Sequence, residues 1–198
     1  MITLDIEQGT PEWFAARCGI PSASCFDKII TTKGEPSKQR EKYLWQLAAE
    51  RVSGITEKSY ANSEMQRGIE LESEARSLYE LANEVNVQRV GLCFRLDKSY
   101  CCSPDGLVGD YGLIEIKCPI ASTHVGYLIQ NDMPPDYFQQ TQGQLLVTER
   151  EWVDFISYYP GLKPLIVRVN RDEQFIEALW AELLKFNKEL EAITERIR

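Results

Sequence analysis

The chain of 198 residues contains a single histidine, His124. A two-histidine zinc motif such as HExxH is therefore impossible, and so is any histidine-rich metal cluster. No glycine is followed by lysine, which removes the Walker-type phosphate loop. Gly106, Gly109 and Gly112 have the spacing GxxGxxG and miss the dinucleotide fingerprint. No stretch reaches about 18 consecutive apolar residues, so no membrane-spanning helix is expected. The opening MITLDIEQGTPEW is acidic and short of apolar residues, unlike a secretory signal. The six cysteines, at 18, 25, 93, 101, 102 and 118, include no CxxC pair. Iron–sulfur ligation would need a spacing that is missing, and the expected state is reduced, buried thiols in a cytoplasmic protein. Carboxylates are left as the principal chemical groups.

What is present is ordinary for a globular protein: 43% hydrophobic and 26% charged residues. That composition excludes disordered, collagenous and coiled-coil classes, and the length fits one domain over residues 1–198. The net charge of −8 argues against a simple nucleic-acid binder, whose domain is usually strongly basic. Residues 1–60 are neutral, while 61–120 and 121–198 each carry −4. Carboxylates gathered around a divalent metal would lower the net charge without preventing contact with phosphate.

Helical and strand signals alternate along the chain. Thr10 and Pro11 open a helix ending near Gly19, and Ser22 caps a second through Ile30. Pro36 opens a third, with Tyr43, Leu44, Leu47, Ala48 and Val52 on one face and Gly54 as its stop. A fourth spans about 62–83, with Ile69, Leu71, Ala75, Leu78 and Leu81 as its stripe. Residues 85–96, 100–103, 112–118, 152–159 and 165–170 read as strands, and 104–112, with three glycines, as a loop. Residues 121–131 and 134–148 read as helices. A last helix starts at Asp172, its stripe made by Ile176, Leu179, Trp180, Leu183, Leu190, Ile193 and Ile197. The expected class is α/β or α+β, a sheet of about five strands between helical layers.

Chemistry concentrates in residues 103–119, SPDGLVGDYGLIEIKCP. Side chains of a strand alternate, so Glu115 and Lys117 share one face. A glycine turn lets the preceding strand pair back, which can bring Asp105 to the same point. Such a cluster of hard oxygens suits Mg²⁺, and the lysine can hold or polarise an attacking water. A surface Glu–Lys pair with an Asp in the turn would give the same pattern. On the fourth helix Glu72 falls towards the apolar stripe, and a carboxylate facing inward needs a partner such as a metal. Glu70 and Glu74 fit a solvated face better.

At these residues the chain resembles a family. Pro104-Asp105…Glu115-Ile116-Lys117 matches the PD-(D/E)XK nuclease motif, with its restriction-endonuclease-like fold. The wider pattern is similar to the lambda-exonuclease-type viral recombinase nucleases, or phage alkaline exonucleases. It comprises Trp13…Ala16-Arg17-x-Gly19-Ile20…Ser22-Ala23-Ser24, Gly68-x3-Glu72-x2-Ala75, Ser103-Pro-Asp-Gly106, Glu115-Ile-Lys-Cys-Pro119 and Tyr137-x2-Gln140-x-Gln142-x4-Leu146-Val-Thr148. The resemblance implies two Mg²⁺ ions, with Mn²⁺ able to substitute, held by Asp105, Glu115, Glu72 and the Ile116 carbonyl, and catalysis by Asp105, Glu115 and Lys117. It implies digestion of one strand of linear duplex DNA from a 5′-phosphorylated end, releasing mononucleotides and leaving a 3′ overhang. It also implies a ring-shaped homotrimer and a single-strand annealing partner.

The family's 5′-phosphate pocket maps onto Arg17, Ser24 and Gln140. A guanidinium suits bidentate phosphate contact, and Ser22 and Ser24 stand where free helix N–H groups favour anions. Gln140 and Gln144, four apart on one helix face, could bond phosphate or sugar. Two other readings stand beside the exonuclease: a different PD-(D/E)XK endonuclease or repair nuclease, and a catalytically silent DNA-binding scaffold. His124 is expected as a solvated or satisfied histidine, Met65 as core, and Lys33, Lys38, Arg40 and Lys42 as a solvated basic face.

Overall fold

A computed structural model describes residues 1–56 and 63–198. The first strand, β1 (Ile2–Leu4), is followed by α1 (Pro11–Arg17), where the Thr10 hydroxyl accepts the Trp13 N–H. A 3-10 turn, Ala23–Lys28, stands where the sequence suggests an α-helix after Ser22. The second helix, α2 (Arg40–Ser53), ends on Gly54 in the left-handed conformation at φ 69°. It begins four residues later than Pro36 suggests, because Pro36 is engaged in a β-bridge with Ile30. Next comes the long helix α3 (Ser63–Asn83). The expected start at 62 and the side chains of Met65 and Ile69 lie outside the described residues.

The sequence reads 85–96 as one strand, but it forms two short ones, β2 (Val87–Gln88) and β3 (Leu92–Phe94), in different sheets. The break is at Gly91, where a Cβ would lie 2.0 Å from the Ile6 carbonyl oxygen, so only glycine lets the segment after β1 approach. A small antiparallel sheet follows the order β1–β3–β4, with β4 at Cys101–Cys102. It packs with Trp13 and Phe14 of α1 as a satellite core.

The main sheet is assembled around β6 (Gly112–Lys117). The expected loop 104–112 contains β5 (Gly106–Val108), which pairs antiparallel with β6 and with β2. On the other side β6 runs parallel to β7 (Trp152–Ser157), and β7 pairs antiparallel with β8 (Leu165–Asn170). The order β2–β5–β6–β7–β8 gives five strands, as expected in number but not in membership.

Helices cover both faces. Ala75 and Tyr79 of α3 pack on Ile114, Ile116 and Ile156, one face of the sheet. On the other face Leu113 and Val153 meet α2, α5 (Phe138–Thr148) and α6 (Glu173–Ile197), with Phe26, Tyr43, Leu145, Leu179, Leu183 and Phe186 filling the core. The Asp172 carboxylate caps α6 by accepting the Phe175 N–H at 3.0 Å. Along the chain α4 (Ala121–Gln130) follows β6 and precedes α5 and β7. Among the described residues no helix is long and apolar enough to cross a membrane. All six cysteines are free thiols.

Candidate active site

The alternation along β6 settles which side chains meet. Ile114 and Ile116 point to α3, so Glu115 and Lys117 point to α5. There the Glu115 carboxylate, 2% exposed, is held from three directions. Lys117 Nζ lies 2.5 Å from Oε1, Gln140 donates Nε2–H to Oε1 at 2.6 Å, and Gln144 donates to Oε2 at 2.5 Å. The two glutamines stand one turn apart on α5, which is why both reach one carboxylate. The Lys117 ammonium also sits 5.2 Å from the centroid of the Tyr137 ring.

The hairpin supplies the second carboxylate. Asp105 precedes β5, donates its N–H to the Ile114 carbonyl at 3.2 Å, and accepts the Ile116 N–H on Oδ2 at 2.6 Å. Its pKa is driven well above the carboxylate range, by burial first and then by repulsion from Glu115 and Glu72. Burial pulls Lys117 down, yet Glu115 and Asp105 outweigh it and hold the ammonium well above its ordinary value. Lys117 therefore stands in this site as a cation and a hydrogen-bond donor, not as a base.

Glu72 completes the group from α3. It is only partly buried, and it forms an ion pair with Arg76, whose Nε donates to the Asp105 carbonyl at 3.2 Å. Burial and then the Glu72 charge push the nearby Cys118 thiol up to about 11. Arg67 donates to the Cys118 carbonyl at 2.9 Å and lies over the Tyr159 ring. Three acidic side chains from α3, β6 and the hairpin thus share one electrostatic neighbourhood. Among the described residues no three His, Cys, Asp or Glu side chains stand as a ready metal cage. Arg76 holds Glu72, and Lys117 with the two glutamines holds Glu115. The donors nevertheless fit a hard divalent cation: all are oxygens, and the repulsion from Glu115 and Glu72, which adds to burial in raising Asp105, is what such a cation would neutralise.

A second group lies two residues upstream of Asp105. The Trp13 indole donates to the Ser103 hydroxyl at 3.0 Å, and its ring carries the Arg17 guanidinium at 4.3 Å. Ser22 has the extended backbone of an N-cap but no side-chain cap bond; its hydroxyl meets Ser24 at 3.3 Å, and its N–H donates to the Tyr43 hydroxyl oxygen at 3.3 Å. The intervening turn is clamped at Gly19, whose N–H donates to buried Glu50 and whose carbonyl accepts from Arg51. Gln140, expected with Arg17 and Ser24, is placed on Glu115.

His124 is a satisfied interior residue. Its Nε2 faces the Lys163 carbonyl at 3.1 Å and so donates, leaving Nδ1 to accept from the Ser157 hydroxyl at 2.8 Å. Of the basic run, Arg40 is engaged bidentately by Glu189 at 2.6 and 3.0 Å. Sequence reasoning missed Arg76, which an i,i+4 pairing with Glu72 could have flagged, and the task of Gln144 at Glu115. A shallow recess of about 460 Å³ lined by Val85, Asp110, Tyr111 and Trp152 lies at the hairpin-tip end of β6, away from the carboxylates.

Comparison with known proteins adds four findings. Residues 12–151 match the YqaJ-like viral recombinase domain. An alkaline exonuclease (LHK-Exo) from Laribacter hongkongensis is similar with a TM-score of 0.86 and 38% identity, over 95% of this chain and 96% of that one; LHK-Exo in complex with dAMP gives the same figures. A phage related exonuclease from Haemophilus somnus 129PT shares the fold, with a TM-score of 0.69 and 15% identity over 90% of this chain and 96% of that one. A comparison with curated proteins finds no match.

Proposed function

The chain belongs to the YqaJ-like viral recombinase family, with the PD-(D/E)XK nuclease fold, and on that premise we propose that it is a Mg²⁺-dependent 5′-to-3′ exonuclease of duplex DNA. It starts at a 5′-phosphorylated end, releases mononucleotides and leaves a 3′ overhang for strand annealing. The observation that carries this reading is the meeting of Asp105, Glu115, Lys117 and Glu72, in a chain 38% identical to an alkaline exonuclease over nearly its full length. The complex of that relative with dAMP, a deoxynucleoside monophosphate, supports mononucleotide release.

Asp105, Glu115, Glu72 and the Ile116 carbonyl would hold two Mg²⁺ ions, with Mn²⁺ as substitute, and these would supply Lewis acidity at the scissile phosphate. Gln140 and Gln144 hold the Glu115 carboxylate in one orientation. Lys117, as an ammonium, donates to the attacking water and stabilises charge on the phosphate oxygens. Arg17, braced on Trp13, takes the terminal phosphate with Ser22 and Ser24, and Gln140, which the resemblance groups with them, also bonds Glu115. A single nuclease domain over 1–198, a ring-shaped homotrimer, a single-strand annealing partner and a cytoplasmic setting belong to the same proposal.

The test is incubation of purified protein with linear duplex DNA, with and without a 5′ phosphate, in Mg²⁺ or EDTA, beside a closed circular duplex. Mononucleotides from the phosphorylated linear DNA in Mg²⁺ alone are the expected result. Cut circles would favour an endonuclease, and no cleavage of any substrate would remove the nuclease function.

A further inference from the structure

We propose that Arg76 is a positioning residue that sets the spacing of the carboxylate site by gripping Glu72 and the backbone of Asp105 together. The inference rests on the reading above, in which Glu72 and Asp105 hold divalent metal.

Arg76 is 7% exposed, far less than an arginine on the surface of a helix. A buried guanidinium is costly unless its donors are used, and here two are used on different elements. One nitrogen, Nη2, pairs with Glu72 Oε1 on α3 itself. Another, Nε, donates at 3.2 Å to the carbonyl of Asp105, 29 residues on and outside the helix. The neighbours Ala75 and Tyr79, both buried against the sheet, seat this stretch of α3 so that the guanidinium lies between α3 and the hairpin. One planar group therefore fixes how far Glu72 stands from Asp105. Lysine could not do this, because it presents one point charge and no rigid fork. Among the described residues the pairing engages Oε1 of Glu72, which leaves Oε2 for a cation.

The test compares wild type, Arg76→Met, Arg76→Lys, Glu72→Gln and the double variant Glu72→Gln/Arg76→Met. Mn²⁺ binding is measured by calorimetry without DNA, cleavage is followed across a Mg²⁺ titration, and folding is checked by thermal melting in EDTA. Arg76→Met is expected to fold and to weaken Mn²⁺ binding by about tenfold to a hundredfold, the usual effect of losing a residue that orients a metal ligand. Cleavage should shift to higher Mg²⁺ by a similar factor, and Arg76→Lys should fall between Arg76→Met and wild type. In the Glu72→Gln background, where the ion pair is already lost, the Arg76 substitution should change Mn²⁺ affinity by a smaller factor than in wild type. A folded Arg76→Met with wild-type metal affinity overturns the proposal. If Arg76→Met does not fold, Arg76→Lys decides, and wild-type metal affinity there overturns it equally. A wild-type protein that neither binds Mn²⁺ nor cleaves DNA would instead overturn the nuclease reading.

Discussion

Lys117 stands between the Glu115 carboxylate and the Tyr137 ring, and its charge is the most sharply defined in the site. Replacing it with alanine leaves Glu115 two donors, Gln140 and Gln144, so the fold should persist. The expected outcome for Lys117→Ala is loss of cleavage by about 10²–10³-fold or more, the scale for removing one donor to transition-state charge, with metal-dependent DNA binding kept. Wild-type turnover in a single-turnover assay would remove the lysine from the chemistry. Arg17 acts elsewhere, on the end of the strand. A charge-assisted bond to phosphate is worth about 1.5–3 kcal/mol, so Arg17→Ala should slow digestion of phosphorylated ends by about tenfold or more and leave 5′-hydroxyl ends nearly unchanged. Equal losses on both ends would make Arg17 a structural residue or a general backbone contact. Glu115 and Lys117 were legible in the sequence because a two-residue period needs only a strand. Glu72 and Arg76 needed the register of a helix, and there the apolar residues mislead: Leu81 is 79% exposed, while Arg76 is buried beside Ala75.

At the scale of elements, glycine marks where the sequence pattern and the structure part. Gly106 reads as turn chemistry, yet it lies in β5, where a Cβ would sit 2.1 Å from the Val87 side chain and keep β2 away. The turn itself uses Gly109, at φ 51°. A periodicity argument cannot separate these two uses: it reads β5 as loop and pairs 100–103 with the strand at 112–118, whereas β4 pairs with β3 and β5 takes the place beside β6. Gly143 gives the same lesson in a helix that positions the site. Alanine there would gain about 1 kcal/mol of helix propensity. Its Cβ, however, would lie 2.4 Å from the ring of Phe26, which is fully buried in the main core and cannot move aside. Overpacking costs about 1–3 kcal/mol, so the clash is expected to win and Gly143→Ala to lower the urea midpoint with the slope unchanged. Because Gly143 lies between Gln140 and Gln144, the displacement of α5 should also reduce cleavage. A raised midpoint would show that the 3-10 turn carrying Phe26 yields easily.

At the scale of the whole molecule, the net charge of −8 and the three clustered carboxylates oppose one another's ionisation, and pH exposes the consequence. The Asp105 pKa in the folded protein is raised, by burial, Glu115 and Glu72, above the value of about 3.9 expected in the unfolded chain. Between those two values the folded state holds a proton that the unfolded state has released. Stability therefore declines as pH rises through that window, and the penalty is complete once the folded carboxyl ionises. A divalent cation bound by Asp105 would favour the ionised carboxylate and offset its repulsion from Glu115 and Glu72, so its stabilisation should grow over the same interval. The melting temperature in EDTA is thus expected to be lower at about pH 8 than at about pH 5 on this group's account, and the rise on adding Mg²⁺ larger at about pH 8. Asp105→Asn carries no charge to neutralise, and it should flatten both dependences while abolishing cleavage. Calorimetric scans of the two proteins at both pH values, with Mg²⁺ and with EDTA, separate this from titration outside the carboxylate cluster, since those groups titrate alike in both. An equal Mg²⁺ increment for wild type and Asp105→Asn would mean that the cation binds away from Asp105, and the carboxylates would then have to be read as a structural ion-pair network held by Arg76 and Lys117.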